Sequence, residues 1–176
     1  MTPTQIFGLQ IAVNLVVYGL AARWYLAPRL ASLPLDAALT PLLLFHALRT
    51  IGVTFVVPGV VGEPLPAAFA IPGAYGDLLA VGLAMLSVLA LRVRWRGALA
   101  LIWIFTVVGL LDFVNAFAQG LRLDIAARYA LGPVWFIPTF AVPAFTVAHL
   151  VILALLVTRG HEYGTAREVS LHKQGV

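Results

Sequence analysis

No cysteine occurs in this chain of 176 residues, so it has no thiolate nucleophile, no thiolate metal ligand and no redox disulfide. Charge is scarce too: Asp, Glu, Lys and Arg make up 10% of the residues, against about a quarter in ordinary soluble domains. Apolar residues take their place, at 62% of the chain with a mean hydropathy of +1.00, more than a water-soluble fold of this size can hide. A soluble enzyme, a disordered tail, a collagen-like repeat and a disulfide scaffold are excluded together. The chain contains no P-loop, GxSxG or HExxH motif and no internal repeat. Glycine (15) and proline (11) are both plentiful, as transmembrane helices tolerate better than soluble ones do.

These properties define an all-α integral membrane protein. A span needs about 20 predominantly apolar residues, and five such runs occur: Gln5 to Leu26, Ala38 to Val60, Ala74 to Arg92, Ala98 to Gln119 and Pro133 to Val157. The expected architecture is a single five-helix transmembrane domain over residues 1–157, followed by a polar cytoplasmic tail, 158–176, with no helical stripe. The N-terminal run lacks the positive flank of a signal peptide and is too long for one, so it is retained as the first span. The segment from Gly62 to Gly73 has three prolines and is read as an interfacial connection. Residues 121–129 are read as a short amphipathic interfacial helix.

Orientation follows the positive-inside rule. Eight basic residues, Arg23, Arg29, Arg92, Arg94, Arg96, Arg159, Arg167 and Lys173, collect on one side and only Arg122 and Arg128 on the other. The N-terminus is therefore expected outside and the C-terminus inside, in the cell membrane. The basic character marks topology and attraction to anionic lipid rather than nucleic acid. Pro138 and Pro143 each remove a backbone N–H and free a carbonyl near Val134 and Thr139, so the outer half of the fifth helix is expected to kink.

Ionisable side chains at membrane depth cost roughly 2.5 to 3.5 kcal/mol each on insertion scales, and each is a candidate for function. The candidates are His46, Arg49, Asp77, Asp112, Asn115 and His149, with Gln10, Asn14, Tyr18 and Thr146 as neutral interhelical contacts. At about 1.5 Å per residue from each span's centre they form three layers. His46 and His149 lie inward, Arg49 reaches from the midplane toward Asp112, and Asp77 and Asn115 lie outward. An Arg49 to Asp112 ion pair is expected, with Asp77 as second choice; such a pair alone can serve merely to fix helix register.

Four functions fit. One is a buried polar site that binds or translocates a small molecule, ion or proton, the two outward acids suiting an amine or cation. Another is a redox subunit with His46 and His149 on a b-type haem. The remaining two are an intramembrane lipid-modifying enzyme, and a structural subunit. No catalytic residue, resident metal or cofactor is assigned. The bilayer is the expected partner, together with a small-molecule or ion ligand. Gly76 with Ala80 and Ala116 with Gly120 are small-residue pairs that favour close helix contact, within the chain or in a homo-oligomer.

Overall fold

A computed structural model describes residues 1–173, with side chains described as far as residue 163, and those residues form helices without a strand. Five helices are long and apolar enough to cross a membrane: α1 (Pro3–Ala31), α2 (Leu35–Val56), α3 (Ala67–Arg92), α4 (Ala98–Arg122) and α5 (Gly132–Tyr163). Helices α2, α3, α4 and α5 pack in a ring, each against two neighbours, whereas α1 lies outside the ring against α5. Only Ile11, Ala22 and Leu30 of α1 are buried, Phe7, Leu15 and Leu26 are half-buried, and Ile6, Leu9, Val13, Val16, Val17 and Leu20 are exposed. The interior divides into two apolar clusters. The first includes Leu39, Leu43, Ala84, Ile102, Phe105 and Ile152, and the second, toward the chain's N-terminal end, includes Phe55, Phe69, Ile125, Leu131 and Ile137.

The backbone departs from the α-helix where the site is built. Helix α2 is α-helical over Leu35–His46 and becomes a 3-10 helix over Ala47–Val56, a run far longer than the usual three or four residues. With three residues per turn, positions three apart lie above one another. His46, Arg49, Gly52 and Phe55 therefore form one buried row along α2. In an α-helix the same four positions would drift by roughly 60° per step.

Helix α3 begins at Ala67, seven residues earlier than the hydropathy reading places it, and takes Pro72 into its second turn. Pro66 caps its start, and Phe69 and Ala70 bury into the second cluster, so packing outweighs the one backbone bond that Pro72 removes. The amphipathic segment after α4 shrinks to a four-residue helix, Ile125–Arg128, entered through Asp124 in the left-handed region (φ 50°).

The helix that starts at Val142 runs on to Lys173, past the end of the apolar run at Val157. Elongating an existing helix costs little once it is nucleated. Arg159 also holds Glu162 at 2.8 Å and donates to the carbonyls of Leu30 (3.1 Å) and Leu33 (2.9 Å), tying α5 to the α1–α2 turn. Residues 174–176 lie outside the described residues.

Helix α5 opens with a 3-10 turn, Gly132–Trp135, and a π turn, Ile137–Ala141. Pro143 has no N–H to offer the Thr139 carbonyl one turn back, and Asn14 of α1 donates to that carbonyl instead, at 2.9 Å. Trp135 donates its indole N–H to Gln10 at 2.6 Å, and its ring meets Phe7 edge-on at 5.0 Å. The neutral polar face of α1 thus fastens it to α5. Asn14→Leu is expected to cost about 1 kcal/mol in thermal unfolding in detergent. The loss should shrink in a Pro143→Ala background, where the carbonyl regains a backbone donor.

Candidate functional site

Between the two apolar clusters lies the only fully buried guanidinium among the described residues, that of Arg49, at 0% exposure. All three of its nitrogens are engaged. Nε donates to Asp77 Oδ1 at 2.6 Å, Nη2 donates to Asp112 Oδ2 at 2.5 Å, and Nη1 faces His149 Nε2 at 3.3 Å. The guanidinium also lies over the Phe113 ring, 4.1 Å from its centroid. The expected Arg49 to Asp112 pair is present, and Asp77, the second choice, is bound by the same side chain. The planar fork of arginine makes this possible, because it presents N–H groups on separate edges.

An arginine only donates, so its contact with His149 uses the lone pair of Nε2 and leaves the imidazole proton on Nδ1. His149 Nδ1 and both nitrogens of His46 are buried and have no hydrogen-bond partner. The rings pack instead: His46 on His149 at 4.0 Å between centroids, and His149 on Phe105 at 4.7 Å.

Three glycines give the polar groups their room. A Cβ at Gly52 would land on Asp77 Oδ2, one at Gly76 on Asp112 Oδ1, and one at Gly109 on His149 Nε2. The sequence reading noticed only Gly76, as half of a small-residue pair. Gly52 was legible as part of a period-three row with Arg49, had the 3-10 geometry been known.

The layered arrangement is corrected. His149 and the two acids, which counting at the α-helical rise separates, meet on one guanidinium, while His46 stays behind His149 without a hydrogen bond to that guanidinium. The reach of the arginine accounts for this, because the longer rise of the 3-10 segment in α2 leaves the α-helical segments that carry Asp77, Asp112 and His149 unchanged. Asn115 does not join the cluster. It lies exposed on α4, roughly 60° around the helix from Asp112. The position four on from Asp112, Ala116, faces the interior space instead.

The haem reading does not fit either. Two axial imidazoles need donor nitrogens about 4 Å apart with the porphyrin between them, and so ring centroids beyond about 6 Å. The 4.0 Å packing of His46 on His149, closed by Phe105 and Phe145, leaves no slot for the macrocycle. Among the described residues no group of three or more His, Asp or Glu is placed to hold a metal ion.

A cavity of about 410 Å³ adjoins the cluster on the side of the chain's N-terminus. Its walls are almost wholly apolar, with Phe7, Ile11, Phe55, Phe69 and Phe117 among them, and Asp77 and Asp112 reach it while Arg49 does not. Each of the two carboxylates keeps 13% side-chain exposure. Concave apolar walls with a few convergent polar groups are the usual form of a small-ligand site.

Fold and site together define a bundle with five helices long and apolar enough to cross a membrane and with a buried arginine–aspartate–histidine cluster at the floor of an apolar cavity. The chain belongs to the family described as "Domain of unknown function (DUF8737)", which matches residues 6–157, a range that holds the whole cluster. No curated protein and no solved structure matches the chain.

Proposed function

We propose that the protein is a multi-pass cell-membrane protein, N-terminus outside and C-terminus inside, that binds or carries a small organic cation at Asp77 and Asp112. The observation that carries this reading is the charge balance at the cavity floor. One guanidinium, sealed from the cavity, faces two carboxylates that reach it, which leaves one negative charge beside an apolar space when both are ionised. In surroundings of low dielectric such an excess attracts a cation far more strongly than in water. Arg49 holds the two carboxylates in place, His149 braces Arg49, and His46 packs behind. The excess of basic residues at the opposite end of the bundle supports an outward-facing cavity, and the 3-10 and π turns of α5 lie at the cavity's end.

Calorimetric titration of the purified protein in lipid nanodiscs tests this with phenethylamine and, as its anionic counterpart, 3-phenylpropionate. The amine is expected to bind and the carboxylate not, and Asp112→Asn should weaken the amine at least tenfold. Equal binding of both probes, binding of neither, or an Asp112→Asn variant with unchanged affinity would sink the reading. The last result is what a purely structural cluster produces.

A further inference from the structure

The cavity wall is not closed on all sides. Helix α1 packs on α5 and touches the Ile125–Arg128 helix, but makes no comparable packing with α4. The cavity residues bordering this gap are Thr4 and Gly8 on α1 and Phe117 and Leu121 on α4, and all four are exposed on the side of the bundle, Phe117 at 39% and Leu121 at 75%. A Cβ at Gly8 would meet nothing within 4 Å. From Leu121 to Asp112 is about 14 Å along α4, so the gap runs through the outer leaflet down to the carboxylates. At its upper edge stands Asp124, also a cavity residue, with its side chain 46% exposed and in a solvent-exposed ion pair with Arg128 at 3.8 Å.

We infer that the gap between α1 and α4 is a lateral portal through which a lipophilic amine, already dissolved in the outer leaflet, reaches Asp77 and Asp112. This rests on the cation-binding reading above and adds the ligand class and its route. The apolar body of such a molecule matches the phenylalanine walls, and its ammonium group meets acid at both ends of the path, Asp124 at the rim and the Asp77 and Asp112 pair at the floor. A strongly hydrated cation gains nothing from a side opening onto acyl chains. An amine that partitions into lipid is concentrated there and keeps its apolar part out of water throughout. Helix α1 is held to α5 by three hydrogen bonds and two ring contacts, none of which reaches α4.

The probe is dansylcadaverine, a primary amine carrying an environment-sensitive fluorophore, mixed by stopped flow with the full-length protein in nanodiscs. Gly8→Phe and Thr4→Phe plug the lateral rim, and Ala126→Phe plugs the roof toward water. The rim plugs are expected to slow association at least tenfold and the roof plug by clearly less. Thr4 is exposed and far from the floor, so its variant separates access from occupancy and carries little risk to folding. Greater slowing by Ala126→Phe, or wild-type rates in both rim variants, overturns the portal. If phenethylamine binds and dansylcadaverine does not, the portal falls and the cation site stands; if neither binds, both fall.

Discussion

Replacing Arg49 with methionine is expected to lower the stability of the protein by about 3 to 5 kcal/mol, the range found when one partner of a buried ion pair is removed. The substitution keeps much of the side-chain volume, so the loss is electrostatic rather than a packing defect. Asp77 and Asp112 would be left in the apolar interior of the bundle without a cation, and His149 without its donor. The variant Arg49→Lys should recover little, because a single ammonium is a point charge and lacks the forked N–H groups that reach both acids. The triple variant Arg49→Met, Asp77→Asn, Asp112→Asn should regain most of the stability, since no charge then remains buried. Thermal unfolding in dodecylmaltoside ranks the four proteins. A triple variant no more stable than Arg49→Met alone would show that the cluster is not held together by charge.

The glycines of the cluster should respond in the opposite sense to helix propensity. Alanine normally stabilises a helix by roughly 0.5 to 1 kcal/mol relative to glycine, and at Gly19 and Gly82, where a Cβ meets nothing within 4 Å, Gly→Ala is expected to be neutral or mildly stabilising. Gly52→Ala, Gly76→Ala and Gly109→Ala instead drive a methyl group into Asp77, Asp112 and His149 respectively. Overpacking of a tight interior costs about 1 to 3 kcal/mol, and here the group displaced is a carboxylate or imidazole already bound to Arg49. Gly52→Ala should therefore lose about 3 kcal/mol, at the upper end of that range. Most of the loss should vanish in an Asp77→Ala background, where the methyl has space. The double-mutant cycle reads the coupling directly. Additive losses would mean that the close contact of Gly52 with Asp77 is not what the glycine is for.

Much of this was legible in the chain before any coordinates. The absence of cysteine, the low charge and the five apolar runs determine the all-helical class and the number of helices able to span a membrane, because lipid acts as a solvent on each residue and hydropathy is a sum over neighbours in sequence. The same logic singled out Arg49, Asp77, Asp112, His46 and His149, since each polar group stands out against an apolar run. The carbonyl freed by Pro143 could likewise be read from covalent structure alone, although not that Asn14 would bond to it.

Only the tertiary structure decided which of these groups meet. Counting at the α-helical rise separated the histidines from the acids and put Asn115 among them. The switch of α2 to three residues per turn at Ala47 aligned His46, Arg49, Gly52 and Phe55 instead, and the long arginine side chain drew both acids and one imidazole onto one centre. Azimuth and rise are set by how neighbouring helices pack, through residues such as Ala80 and Ala84 that let α3 come close. No local sum over the sequence contains them. The same holds for the start of α3 at Ala67 and the place of α1 outside the ring, each decided by contacts between segments far apart in the chain.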